Sequence, residues 1–254
     1  MEITKTYDDL AEHYHLLFEN WENSIERQAK SLSSIIQGHC GLGEHARILD
    51  CACGIGTQSL GLAKLGFQVT GCDLSLRSLE RARQEASKRG LEIEFAVANM
   101  LDLSSLLQSQ FDAVLCMDNA LPHLDSEHQL QVAAGQIRSK LREGGFLIAS
   151  IRDYDRLIKE RPVIQGPWFY TDSGKRRIVF QIWDWIDIQR YRFHVYITQE
   201  FPKGWQTLHT SGSYRAVQRT ELTAALTQAG FQKVIWLEPA QSGFYQPVVV
   251  AQAG

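Results

Sequence analysis

Ala46-Arg47-Ile48-Leu49-Asp50-Cys51-Ala52-Cys53-Gly54-Ile55-Gly56-Thr57 carries an apolar run into an acid and then into a loop of small residues. A second expected strand, Phe67 to Cys72, follows and closes on Asp73. Gly54 and Gly56 permit a tight turn and close approach of backbone to a ligand, and an acid ending the second strand lies where a ribose diol would sit. These are the marks of a Rossmann-like nucleotide site. Asp50 narrows the ligand, because a carboxylate ending the first strand repels a pyrophosphate and attracts a ligand that carries an ammonium and a sulfonium. S-adenosylmethionine is therefore the expected cofactor. A nicotinamide-dependent oxidoreductase shares the Gly-x-Gly and the ribose acid, but Asp50 speaks against it, as does Ser59 in place of the third glycine of G-x-G-x-x-G.

Outward from this stretch, strand and helix alternate from Arg47 to Ile151: strands near 47–51, 67–72, 92–97, 111–116 and 145–151, helices near 58–65, 75–88 and 127–141. That order specifies an α/β, doubly wound parallel architecture. Gly66, Gly90 and Gly144-Gly145 serve as helix stops, and Ser75 and Asp125 or Ser126 as caps. Tyr7 to Gln37 reads as helical, with Leu10, Tyr14, Leu17, Trp21 and Ile25 roughly on one face. Residues 176–201 read as two long antiparallel strands that turn near Asp187 to Gln189. A helix from Arg219 to Gln228, stopped by Gly230, precedes strands near 231–237 and 246–251.

The chain of 254 residues suits one α/β domain, 1–254, with a helical lid over 1–40 and a β-rich cover inserted at 155–212. A formal charge of −3 with interspersed signs offers no basic stripe, which disfavours nucleic acid and acidic membrane surfaces and favours a small-molecule substrate. Five cysteines, an odd number, suit a reducing compartment. Cys51-x-Cys53 has no second Cys/His pair at ligand spacing, so no metal is expected. No apolar leader or membrane-length run is present, so the expected location is cytoplasmic. The pattern leaves the oligomeric state open.

Several ordered segments resemble class I S-adenosylmethionine-dependent methyltransferases, and among them the glycine and glycine/sarcosine N-methyltransferases. Asp50-Cys-Ala52-Cys-Gly54-Ile-Gly56 resembles that family's cofactor loop, in which alanine replaces the first glycine of the wider class motif. Gly71-Cys-Asp73-Leu74-Ser75, Ala98-Asn99-Met100, Cys116-Met117-Asp118-Asn119-Ala-Leu-Pro-His123-Leu and Arg152-Asp-Tyr154-Asp155 resemble its later motifs. The resemblance implies a mostly parallel seven-stranded sheet with an antiparallel C-terminal strand. It implies cofactor contacts from Asp50, Ala52, Gly54, Gly56, Asp73, Leu74, Asn99, Met100, Met117 and His123. Tyr14 and Arg27 stand about where the family places an aromatic against the cofactor and an arginine near its methionine carboxylate.

For the acceptor, the resemblance assigns Arg152 to a substrate carboxylate, Asn119 to orienting the same substrate, and Tyr214 and Tyr245 to the methyl-transfer centre. A guanidinium fork just past the fifth strand suits a carboxylate. Each residue also has a plainer reading: a helix cap for Asp73, a surface loop for Asn99 and Met100, an ion pair with Asp153 or Asp155 for Arg152, core packing for His123 and the tyrosines. Three departures from the family stand out, Asp118 for its glycine, Met100 for its tryptophan and Leu17 for a substrate tyrosine. Asp118 in particular suits a cationic amine. Methyl transfer depends chiefly on alignment and exclusion of water, so no His/Asp catalytic dyad is expected. Trp168, Tyr170, Trp183 and Trp185 are expected to give the cover an aromatic chamber. N-methylation of a small amino acid or amine is the leading expectation. O-methylation of a hydroxyl or carboxyl acceptor and a non-catalytic S-adenosylmethionine-binding module are the alternatives.

Overall fold

The apolar runs found in the sequence become the strands of one central sheet. In the computed structural model, which describes residues 2–106, 110–172 and 174–254, these strands are β1 (Arg47–Cys51), β2 (Gln68–Asp73), β3 (Glu94–Val97), β4 (Phe111–Cys116) and β5 (Leu141–Ser150). Four more, β6 (Ile164–Asp172), β7 (Lys175–Trp185), β8 (Arg190–Phe201) and β9 (Gly204–Arg215), form a separate antiparallel sheet. The central sheet is completed by β10 (Phe231–Leu237) and β11 (Val248–Ala253), in the order β10-β11-β5-β4-β1-β2-β3. All its pairings are parallel except those of β11, which runs against both β5 and β10. Ile48, Leu49, Val114 and Leu115 are wholly buried, as continuous apolar runs are when both faces of a parallel sheet are covered.

Helices cover both faces. On one, Leu32, Ile35 and Ile36 of α2 (Trp21–Gly38) join Ile48, Leu115 and Ile148 in one apolar cluster. On the other, Leu130 and Ile137 of α5 (Glu127–Lys140) and Leu222 of α7 (Arg219–Gln228) join Leu49, Val114 and Leu147. Helices α3 (Thr57–Lys64) and α4 (Leu76–Lys88) follow β1 and β2. The Oγ atoms of Ser75 and Ser126 accept the N–H groups of Ser78 and Gln129, so they cap α4 and α5 as expected. Where α2 crosses α3, a Cβ at Gly61 would lie 2.6 Å from that of Ala29. Strand order reverses between β1 and β4, which opens a crevice at their carboxyl ends.

Two parts differ from the reading of the sequence. The N-terminal segment is not one helix but α1 (Glu2–Leu10), a 3-10 turn at Tyr14–Leu17, and α2. Asn20 Oδ1 accepts the Asn23 N–H at 2.9 Å and starts a new helix. Arg177 of β7 takes the carbonyls of Leu16, Phe18 and Glu19, which a continuous helix would have used internally. The inserted cover has four strands rather than two and runs on to Arg215, preceded by α6 (Tyr154–Glu160). Its expected turn is in place, with Asp187 Oδ1 accepting the N–H groups of Gln189 and Arg190, each at 2.8 Å. Smaller shifts occur at strand ends. β5 begins at Leu141, so Gly145 lies inside the strand, where a Cβ would come within 3.0–3.1 Å of the carbonyls of Arg142, Asp112 and Phe111.

Candidate active site

Between β1 and α3 the backbone is left-handed at Ala52 (φ 65°), Gly54 (φ 54°) and Gly56 (φ 89°). Two of the three are glycine, which takes that conformation without steric cost; Ala52 is not. The Asp73 carboxylate holds this loop from the neighbouring strand, accepting the Gly54 N–H on Oδ2 and the Ser75 N–H on Oδ1, each at 2.8 Å. A carboxylate has about four lone-pair sites, so acceptor capacity remains for a diol. Burial pushes the Asp73 carboxyl above its ordinary range.

Asp50 is buried behind the loop, and its Oδ2 accepts the Ser59 hydroxyl at 2.5 Å. The serine that breaks the dinucleotide fingerprint thus donates to the acid that ends β1. Burial pushes the Asp50 carboxyl up to about 7, and the nearby Asp118 and Asp73 push the same way.

A cavity opens at the carboxyl ends of these strands, and nine of the residues singled out in the sequence line it: Tyr14, Ala52, Gly54, Asp73, Leu74, Asn99, Met100, Met117 and His123. Asp50 and Gly56 stand behind that wall. Arg27 is exposed on α2 and is not brought to the cavity, whereas its neighbour Gln28 is buried, with Oε1 accepting Gln58 Nε2 at 2.7 Å. Within the segment expected as a lid, the sequence did not single out the residues of α1 that face the cavity as its roof. Ile3, Thr4 and Tyr7 of α1 line the cavity. Thr6 and Asp8 tie the helix down, to the Ser211 carbonyl and the Ser75 hydroxyl, at 2.6 Å each.

Beside the cavity lies a cluster built from three distant parts of the chain. Asn119, left-handed at φ 68°, accepts the Arg152 N–H at 3.0 Å and donates through Nδ2 to the Tyr154 hydroxyl at 2.9 Å. Arg152 Nη1 donates to the Tyr191 hydroxyl at 2.7 Å, and its guanidinium lies 4.7 Å from the ring centre of Trp183 and 5.0 Å from that of Tyr214. The carboxylates of Asp153 and Asp155, the alternative partners for Arg152, instead lie 3.8 and 3.5 Å from Arg219. Of the aromatics expected in the cover, Trp183 borders this cluster, Trp185 packs on Tyr191, Tyr170 packs on Arg177, and Trp168 is exposed.

His123 contacts the Ser213 carbonyl through Nδ1 at 3.2 Å and the Tyr7 hydroxyl through Nε2 at 2.8 Å. A carbonyl only accepts, so Nδ1 carries the proton and Nε2 accepts from Tyr7. Burial lowers the His123 pKa to about 3, so the ring is neutral. Its stacking on Tyr214, with centres 4.3 Å apart, makes it a link between roof and cover. Tyr245, half exposed, donates to Asp118 Oδ1 at 2.6 Å, and Gln58 donates to Oδ2 at 2.8 Å. Tyr7, Gln58 and Tyr191 are thus site residues that the sequence motifs did not mark.

Among the described residues no group of three or more His, Cys, Asp or Glu side chains is placed to hold a metal ion, and no helix is long and apolar enough to cross a membrane. All five cysteines are free and buried. A crevice at the strand ends, an acid with acceptor capacity left for a diol, and the further carboxylates Asp50 and Asp118 nearby fit S-adenosylmethionine by donor chemistry.

The comparisons agree. Residues 48–145 match the family described as "Methyltransferase domain". The glycine/sarcosine N-methyltransferase of Aphanothece halophytica is 26% identical over 90% of this chain and 83% of its own length. Streptomyces venezuelae DesVI superposes with a TM-score of 0.79 at 20% identity, covering 96% of this chain and 98% of that one. The S-adenosylmethionine-bound CalS10, an amino pentose methyltransferase from Micromonospora echinaspora, superposes with a TM-score of 0.74 at 20% identity, covering 91% and 92%. The chain is a class I S-adenosylmethionine-dependent methyltransferase.

Proposed function

We propose that the protein N-methylates a small amino acid or amine such as glycine or sarcosine. The observation that carries this reading is Arg152, a partly buried guanidinium flanked by two aromatic rings and hydrogen-bonded to a neutral phenol, with no carboxylate partner among the described residues. A cation so held is completed by an anionic ligand, and its fork matches a carboxylate. Asn119 sets the position of Arg152 through the backbone and reaches Tyr154 on its other side.

In this reading the cofactor, held by Asp73, the Ala52–Gly56 loop, Asn99 and Met100, supplies an electrophilic methyl group. The chain's own residues supply alignment and dryness. Arg152 and Asn119 fix the acceptor, Tyr7 and Tyr214 close around it with the neutral His123, and α1 excludes water.

Mass spectrometry of reactions with S-adenosylmethionine and a panel of glycine, sarcosine, simple amines and hydroxy acids tests the reading. It requires gain of methyl mass on an amino acid nitrogen, with S-adenosylhomocysteine formed. Transfer only to hydroxyl or carboxyl oxygen contradicts it, and tight cofactor binding without transfer to any acceptor points to a binding module.

A further inference from the structure

Asp118 is the charged group of the cavity wall that the reading above leaves without a task. It follows β4 in a left-handed conformation at φ 54°, and its N–H is held by Ser150 Oγ at 2.9 Å. Gln246 in turn fixes that hydroxyl, accepting from it at 2.9 Å. The carboxylate is placed equally firmly, between the Tyr245 hydroxyl at 2.6 Å and the Gln58 amide at 2.8 Å. Both donors are neutral. Among the described residues no cation pairs with Asp118, although it lines a cavity. A desolvated carboxylate without a counter-ion is costly unless a ligand brings one.

The position of this charge selects the ligand. Tyr245, which carries one end of the Asp118 contact, is half exposed. Asp118 precedes Asn119, which accepts the Arg152 N–H at 3.0 Å, and the Arg152 guanidinium lies 5.0 Å from the ring centre of Tyr214, which stacks on His123 of the same cavity wall as Asp118. We infer that Asp118 receives the ammonium of the acceptor and takes its proton, so that the enzyme selects a zwitterionic amino acid with its carboxylate on Arg152 and its nitrogen on Asp118. The inference rests on the amino acid reading and deepens it.

Proton and bond accounting is simple. An acceptor that arrives as R–NH3+ passes one proton to the Asp118 carboxylate and keeps the electron pair of that N–H bond. The freed pair forms the new N–C bond as the C–S bond breaks and its electrons return to sulfur. The product leaves as R–NH2+–CH3, and the proton on Asp118 passes to solvent. Burial raises the Asp118 carboxyl, which brings it nearer to an amine in proton affinity, while Tyr245 and Gln58 oppose that rise.

The test uses the full chain saturated with S-adenosylhomocysteine and titrated calorimetrically with glycine, sarcosine and glycolate, the last keeping the carboxylate and replacing the ammonium by a hydroxyl. The amino acids should bind at least about tenfold more tightly than glycolate, and Asp118→Asn should erase that preference while S-adenosylhomocysteine affinity stays within about twofold. Equal binding of glycine, sarcosine and glycolate by the unmodified protein overturns the inference alone, and needs no variant to fold. Weaker S-adenosylhomocysteine binding by Asp118→Asn with the preference retained also overturns it, and assigns Asp118 to the cofactor. Binding of none of the three overturns the amino acid reading together with the inference.

Discussion

The side-chain carbonyl of Asn119 accepts the backbone N–H of Arg152 at 3.0 Å, which ties the segment after β4 to the segment after its neighbour β5. The same side chain donates to Tyr154, whose hydroxyl lies 3.1 Å from that of Tyr191. Arg152 is therefore held at its backbone by Asn119 and at its head by Tyr191. Asn119→Ala should lower stability by about 1–3 kcal/mol, read from urea unfolding, because it strips partners from buried polar groups. It should also lower kcat/KM for the acceptor more than it lowers S-adenosylhomocysteine affinity.

Asp73 both shapes the cofactor loop and faces the cavity. Asp73→Ala should weaken S-adenosylhomocysteine binding by about tenfold or more while the circular dichroism spectrum stays that of the parent. Unchanged calorimetric affinity would remove Asp73 from the cofactor site and leave it only as a brace for Gly54 and Ser75.

Ala52 occupies a left-handed position in a loop whose other two such positions are glycine. Ala52→Gly should gain up to about 1 kcal/mol in thermal or denaturant unfolding, the relief of backbone strain exceeding the extra freedom of the unfolded chain. A loss of stability would mean that the Ala52 methyl contributes more as cavity wall than its backbone costs.

His123 titrates near 3 in the folded protein against about 6.5 unfolded, so between those values the unfolded chain binds the extra proton. Stability supplied by the neutral ring is complete above about pH 6.5 and falls as pH drops, by up to about 1.4 kcal/mol per unit. Asp50 acts in the opposite sense. Its carboxyl is raised to about 7, so its contribution is present below the ordinary carboxylate range and is lost as pH rises towards 7. The readout is accordingly the difference between the unfolding profiles of the parent and of His123→Asn, which should grow from pH 4 to pH 6.5.

What could be read from the sequence was local. The runs at β1 and β4 are mostly apolar because both faces are buried, and the loop glycines and Asp73 lie close together in the chain. The missed cover strands had no such signature. β6 carries Gly166-Pro167, and β9 is largely polar along Gly204–Thr207, so neither shows clean alternation. The helix break before Trp21 was signalled by Asn20 as a cap, but the spacing of Leu10, Tyr14, Leu17, Trp21 and Ile25 fits an unbroken helix equally well. Tyr7 on His123, Tyr191 on Arg152 and Tyr245 on Asp118 join residues far apart in the chain. No spacing rule reports such contacts.

Arg152 is the proposed anchor of the acceptor carboxylate, on which the assignment of an amino acid substrate depends. The most direct measurement is the initial rate of methyl transfer to the preferred amino acid by Arg152→Ala at saturating S-adenosylmethionine, with S-adenosylhomocysteine affinity measured on the same preparation. Loss of the charged pair should raise KM for the amino acid by about a hundredfold and leave the S-adenosylhomocysteine affinity near that of the parent. An unchanged KM, or a loss confined to S-adenosylhomocysteine binding, would contradict the account.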